Sequence, residues 1–237
     1  MNSIRIKFTR GEEVRYISHL DLMKTFERAL RRSRIPIAYS QGFNPHPQMV
    51  FGLPLSVGVT SETEYADFEL ANPLEPEELV ERLNKELPAG LKIITAKYKH
   101  TRDNIMASVV RASYDIMAIT EPGMEINDYQ KKVNEFLEKQ SIIVKRQGKN
   151  GIREVDIRPM IHSLTVKEGS REENMLWFSM LVSAGSAANL KPELLISTLS
   201  ELGNLKIRTV KIHRSGLFVN KEGKTLEPLT DAVLTDV

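Results

Sequence analysis

"YISHLDLMKTFERALRR", Tyr16–Arg32, starts as a turn and continues as a helix with two chemically different sides. Ser18 with Asp21 makes a capping-box-like pair, Asp standing where Glu or Gln is usual, so the helix is expected to start at this serine. Helical spacing then puts His19, Leu22, Met23, Phe26, Ala29 and Leu30 on one face. Asp21, Lys24, Thr25, Arg28, Arg31 and Arg32 fall on the other. A helix divided this way needs an apolar surface to lie on, and the neighbouring segments offer a sheet.

Before the helix, "SIRIKFT" (Ser3–Thr9) alternates like a strand, and after it "PIAYS" (Pro36–Ser40) is extended. A Pro- and Gly-rich loop leads to a strand near "EYADFEL" (Glu64–Leu70). "EPEELVERLNKEL" (Glu75–Leu87) has acids in its first turn and Leu79, Leu83 and Leu87 at helical spacing. Past the Pro88–Gly90 break, "LKIITAKYK" (Leu91–Lys99) alternates again. The order is β-α-β-β-α-β, the ferredoxin-like unit.

A second round follows. "ASYDIMAIT" (Ala112–Thr120) reads as a strand, and "NDYQKKVNEFLEKQ" (Asn127–Gln140) as a helix with Val133, Phe136 and Leu137 on one side. "SIIVKRQGKNGIREVDIRPMI" (Ser141–Ile161) reads as a hairpin turning at "GKNG", Gly148–Gly151. "HSLTVKE" (His162–Glu168) and "MLWFSMLVSA" (Met175–Ala184) are strands around the polar turn "GSREEN" (Gly169–Asn174). "KPELLISTLSELG" (Lys191–Gly203) is a helix with Leu194, Leu195, Thr198 and Leu202 inward and Gly203 at its end. "NLKIRTVKIHR" (Asn204–Arg214) closes the round. The expectation is an α+β protein of two tandem ferredoxin-like (βαββαβ) halves packed together. The first spans residues 1–104 and the second, with its extra hairpin, residues 105–217. A polar tail over 218–237 is expected to be loosely docked.

With 237 residues, 41% hydrophobic and 27% charged, the chain has the composition of an ordinary globular protein. The sequence holds no apolar run long enough for a membrane span and no signal-peptide pattern at its start, so a cytoplasmic protein is expected. Without cysteine, disulfides, thiolate zinc sites and cysteine-ligated iron–sulfur clusters are excluded. Net charge is only +2, but residues 1–50 carry nine Lys/Arg against four Asp/Glu, and residues 51–100 five against nine. That asymmetry suits a protein showing one basic face to a polyanion; a solvated helix face would have the same composition.

Three places hold the candidate functional residues. Lys24, Arg28, Arg31 and Arg32 form a cationic stripe on the opening helix, matched to phosphate contacts. His19 in the first turn is expected to be neutral, because the positive helix end disfavours imidazolium; core hydrogen bonding, general base and metal ligand all stay open for it. "YSQGFNPHPQMVFGLPLSVG" (Tyr39–Gly58) interleaves Pro45, Pro47 and Pro54 with Gly42, Gly52 and Gly58. Prolines push Asn44 and His46 into extended conformations with side chains pointing roughly the same way, while Phe43 and Phe51 are expected to anchor the loop. Such a loop either carries function or caps the sheet. The hairpin carries Lys145, Arg146, Lys149, Arg153 and Arg158 against Glu154 and Asp156, the last able to pair with Arg158.

Nucleotide and hydrolase signatures are missing: no Walker A loop, no G-x-G-x-x-G after a strand, no G-x-S-x-G and no H-E-x-x-H. The RNP signature of RNA-recognition motifs is also missing. No cofactor or metal site is expected. Metal-independent RNA cleavage needs only a base, an acid and a cation, which His19, His46, Tyr16, Arg15 and Lys24 could supply if His19 and His46 meet in space.

The stretch from Arg15 to Leu70, with "KYKH" (Lys97–His100), "ASYDI" (Ala112–Ile116), "VDIRPMI" (Val155–Ile161) and "LKPELLI" (Leu190–Ile196), resembles the radical-SAM-linked bacterial domain of unknown function. The resemblance covers most of the chain. It implies a domain fused to, or encoded beside, a radical SAM protein, in a setting of ribonuclease and ribosomal-protein genes; no family residue roles carry over. The chain is also similar, more weakly, to CRISPR repeat-processing endoribonucleases with two ferredoxin-like halves. Their glycine-rich loop has no counterpart here, since "HRSGLFVNKEG" (His213–Gly223) offers only Gly216 and Gly223. The leading expectation is a non-catalytic RNA-binding accessory protein for a radical SAM enzyme acting on tRNA or rRNA. It would hold phosphates with Lys24, Arg28, Arg31, Arg32, Lys145, Arg146, Lys149 and Arg153, and read local features with Asn44 and His46. The alternatives are the nuclease just described and a module that docks the radical SAM partner without touching RNA.

Overall fold

The computed structural model describes residues 2–148, 151–169 and 174–235. Its elements are β1 (Ser3–Arg10), α1 (His19–Arg32), β2 (Met49–Phe51), β3 (Thr60–Glu69), α2 (Pro76–Asn84), β4 (Leu91–Lys99) and α3 (Ile105–Ser108). Then follow β5 (Val109–Ile119), α4 (Ile126–Leu137), β6 (Ile143–Gly148), β7 (Gly151–Asp156), β8 (Ile161–Glu168) and β9 (Met175–Ser183). The chain ends with α5 (Pro192–Gly203), β10 (Arg208–Lys221), β11 (Lys224–Leu226) and α6 (Asp231–Leu234). It is a mixed α+β protein. Two compact units divide it: Met1–Val110 with Arg214–Val237, and Arg111–His213.

In the first unit the strands lie in the order β4-β1-β3-β10, with β2 also on β3 and β11 on β10. Alternation along β1 sends Ile4, Ile6 and Phe8 to one face, where Leu22, Phe26, Ala29 and Leu30 of α1 and Leu79 and Leu83 of α2 close over them. Phe26 meets Phe8 and Phe51 edge-on, at centroid distances of 5.0 and 5.2 Å. The α1 start follows its capping pair: Ser18 Oγ accepts the Asp21 N–H at 3.1 Å and donates to the Asp21 carboxylate at 2.7 Å. That hydrogen bond holds the Asp21 carboxyl below its usual range.

β3 is longer than "EYADFEL", starting at Thr60, where Ser61 is buried with its Oγ donating to the Arg214 carbonyl at 3.2 Å; the carboxylates farther along the strand are neutralised rather than solvated. Glu64 takes a bidentate pair from the buried Arg214 at 2.8 and 2.7 Å, and Asp67 one from the buried Arg5 at 2.6 and 2.9 Å. Both arginines are remote in sequence, so the expected strand near Glu64–Leu70 came without the partners that bury Glu64 and Asp67.

The stretch expected to be a loose polar tail differs most from expectation. It contains the end of β10, then β11 and α6, with Val219, Leu229, Val233 and Leu234 buried. It also answers the first sheet's polar face: Arg5 Nη1 donates to the Pro228 carbonyl at 3.1 Å, Lys7 pairs with Glu227 at 3.9 Å and Lys97 with Asp231 at 2.7 Å.

In the second unit the strands run β10-β5-β9-β8. Tyr129, Val133 and Phe136 are the buried residues of α4, which lies on β8 and beside α5; Leu137, expected with them, is half-buried. α5 is rotated relative to the expectation. Leu195, Ile196, Thr198 and Leu199 are buried, Leu194 is half-buried and Leu202 is exposed. Its left-handed cap is Asn204 (φ 48°), not Gly203, which is still helical. Among the described residues β6 and β7 pair only with each other, Gly148 opposite Gly151.

Candidate functional site: a cleft beside the proline-framed loop

The loop after α1 closes like a hairpin. Ala38 O accepts from Gln48 N at 2.8 Å, Tyr39 bridges to Pro47, and Ser40 N donates to His46 O at 2.9 Å. Phe51 is buried at the far end, in contact with α1, as a loop anchor should be. Phe43, expected to do the same, is fully exposed at the loop tip. Gly42 beside it has a φ of 129°, a backbone that lets the tip turn outward instead of inward.

Between this loop, the ends of β3 and β4, and the segment after β4 lies a cleft of about 470 Å3. The sheet supplies one wall by register: Ser3 of β1 sits opposite both Glu69 of β3 and Lys99 of β4, with Arg5 opposite Asp67 one pair along. These residues share the face turned away from Ile4 and Ile6. Lys99 is buried, with Nζ 3.3 Å from Asp67, whose carboxylate also takes the Arg5 pair; Glu69 accepts from Ser3 Oγ at 2.8 Å. After β4, Asp103 pairs with Lys221 at 3.7 Å, while Arg102 makes no ion pair or hydrogen bond with a described residue.

From the loop come Ser40, His46, Gln48, Met49 and Val50. Ser40 Oγ accepts the His46 backbone N–H at 3.1 Å and lies 2.9 Å from Nδ1, which is also 3.4 Å from the Asn44 carbonyl. The ring is thus held through Nδ1, and Nε2 has no partner among the described residues. Asn44 is exposed and does not line the cleft.

His19 is elsewhere. It is half-buried against Phe51, ring to ring at 5.8 Å, and burial pushes its pKa below the ordinary value, with Arg10 adding to this and Glu64 opposing it. Neutrality is thus favoured, with burial and Arg10 as the causes. Among the described residues no hydrogen bond or ring contact joins His19 to His46. Tyr16 is exposed under the Arg15 guanidinium, which lies 4.6 Å from its ring centroid and donates to its hydroxyl at 2.6 Å.

The cationic residues divide into free and engaged. Lys24, Arg28 and Arg31 are exposed and make no ion pair with a described residue, whereas Arg32 pairs with Glu86 at 2.8 Å. On the hairpin, Lys145 stands opposite Glu154, and Arg146 opposite Arg153. Arg146 reaches the Asn189 carbonyl at 3.2 Å. Arg158 does not pair with Asp156: it ties down the Leu137 and Ile161 carbonyls, and Asp156 accepts from the Ile142 and Arg158 backbone N–H groups. Lys149 lies outside the described residues. Among the described residues no group of three or more His, Asp or Glu is placed to hold a metal ion.

Lys99, Arg102, Asp67 and Ser40 were missed by sequence reading. A lysine two residues past Lys97 on an alternating strand was the available signal, but its burial depends on a strand, β3, that pairs with β1 instead of β4.

These features define an α+β protein with a polar cleft and scattered free cations. Residues 3–192 match the family described as "Uncharacterized protein conserved in bacteria (DUF2344)", and the chain belongs to it. Comparison with curated proteins finds no match. Among solved structures, a chain of "Crystal Structure of a Cbf5-Nop10-Gar1 Complex" is similar in fold, with TM-score 0.55 at 10% identity over 91% of this chain and 49% of that one. This chain therefore spans about half the length of that neighbour. "Crystal Structure of an Unknown Protein from Galdieria sulphuraria" aligns at TM-score 0.25 and 12% identity, over 88% of this chain and 98% of that one. No helix is long and apolar enough to cross a membrane among the described residues.

Proposed function

We propose that this chain is a non-catalytic RNA-binding accessory protein, built of two ferredoxin-like rounds, that serves a radical SAM enzyme acting on tRNA or rRNA. The observation that carries the RNA reading is the hairpin register: Arg146 and Arg153 stand directly opposite each other. Like charges in that position destabilise a strand pair, and an anion between them relieves the repulsion. The free stripe of Lys24, Arg28 and Arg31 on α1 supports the same reading; Arg32, engaged with Glu86, drops out of it. The radical SAM partnership rests on the sequence resemblance. The strand orders β4-β1-β3, with β2 also on β3, and β10-β5-β9-β8 support the two-round reading.

Fluorescence anisotropy with labelled tRNA and rRNA fragments tests the proposal. Arg146→Glu with Arg153→Glu is expected to weaken binding at least about tenfold and to flatten the dependence on log salt by about two contacts' worth. Unchanged affinity in that double variant would remove the RNA reading.

A second reading, a protein-docking module without RNA contact, is favoured by Phe43, a fully exposed aromatic on a hydrogen-bonded loop. It expects the radical SAM partner to co-purify after nuclease treatment, and Phe43→Ala to abolish that co-purification.

A further inference from the structure

We propose that the cleft beside the proline-framed loop binds one nucleoside monophosphate unit: phosphate on Arg102 and Lys99, base against Val50, and the base edge at His46 Nε2. This deepens the RNA reading and rests on it only for the source of the ligand, a nucleotide within RNA or a free one. The charge argument is local. Each carboxylate of the cleft is already engaged, Asp67 by Arg5 and Lys99, Glu69 by Ser3, Asp103 by Lys221. Arg102 has no such partner among the described residues; the Ser3 hydroxyl leaves the charge of Glu69 in place, so Arg5, Lys99, Arg102 and Lys221 stand against Asp67, Glu69 and Asp103, and the surplus is one positive charge. An anion completes this arrangement, and a cation does not.

Charge alone would fit any small anion; the rest of the cleft narrows the class. Val50, opposite Asp67 on the cleft face of its strand, gives an apolar surface next to the cationic corner, while Met49 beside it packs on the core; Ser40 fixes the imidazole through Nδ1 so that Nε2 is left for a ligand. A volume of about 470 Å3 falls within the range of small-ligand pockets and well exceeds the needs of a lone phosphate. A phosphate joined to a flat heterocycle with hydrogen-bonding edges uses all three features at once.

The test is calorimetric titration of the intact chain with uridine 5′-monophosphate and adenosine 5′-monophosphate, against uridine, adenosine and inorganic phosphate. At least one nucleotide is expected to bind about tenfold or more tighter than its nucleoside and than phosphate. Arg102→Ala, an exposed position whose loss leaves the core intact, is expected to bring the nucleotide down to the nucleoside's level; Lys131→Ala on α4 should change nothing. Nucleotide and nucleoside binding alike, or phosphate binding as well as either nucleotide, overturns the proposal. So does an Arg102→Ala variant that keeps full nucleotide affinity. RNA bound through Arg146 and Arg153 with no mononucleotide binding would sink the cleft and spare the RNA reading. Mononucleotide binding without RNA affinity would do the reverse, and would assign the cleft to a free nucleotide.

Discussion

Two phenylalanines eight residues apart show how much a side chain's surroundings matter. Phe51 is buried among Phe8, Phe26 and His19, while Phe43 touches nothing that shields it. Phe51→Ala is expected to cost about 3–5 kcal/mol in urea unfolding, and Phe43→Ala to stay within about 0.5 kcal/mol. Comparable losses would mean that the loop tip packs inward. His19 gives a pH signature. Its folded pKa is depressed, so the unfolded chain takes up a proton at the ordinary 6.5 while the folded chain still resists. The contribution is fully present above 6.5 and is lost as the pH falls below it. Urea midpoints should therefore drop less on acidification in His19→Asn than in its parent. The comparison belongs in a His162→Gln background, because burial and Arg111 depress His162 in the same sense.

At the scale of elements, the β6-β7 hairpin trades stability for charge. Among the described residues it pairs with no other strand, and its register sets Arg146 against Arg153. Arg153→Glu turns a repulsive cross-strand pair into an attractive one, with an expected gain of about 0.2–1 kcal/mol. The hairpin amides should then exchange with solvent more slowly, measured by hydrogen exchange. Faster exchange would show that Arg146 is held on the Asn189 carbonyl, away from residue 153. The α1 helix is the contrasting case, with its cap, buried stripe and free stripe all set by spacing within one segment. The helix was therefore readable in full, whereas the pairing of Arg32 with Glu86, 54 residues away, was not.

For the whole molecule, the consequential feature is the return of the chain's last stretch to the first unit. Leu229, Val233 and Leu234 are buried there, and burying such side chains contributes about 1.5–3 kcal/mol each. Against a net stability of about 5–15 kcal/mol, losing all three, with the Arg5–Pro228 hydrogen bond, removes much of what holds the unit. A chain ending at Lys221 is expected to melt at least about 10 °C lower and to bind a hydrophobic dye when cool. An unchanged melting temperature would return this stretch to the status of a tail.

The sequence by itself determined the alternation of strands and helices, the α1 cap and its two faces, the hairpin that sets Gly148 opposite Gly151, and the proline-framed loop that holds His46. Each follows from residues within a few positions of one another, where backbone geometry and spacing act directly. Only the tertiary structure decided that Thr60–Glu69 is one strand, that the last stretch packs, that Phe43 faces outward, and that Lys99, Arg102 and His46 share a cleft. For β3 and for buried Lys99 the reason is the same. A polar or charged residue goes inside only when a partner far along the chain neutralises it, and spacing carries no information about which partner that will be.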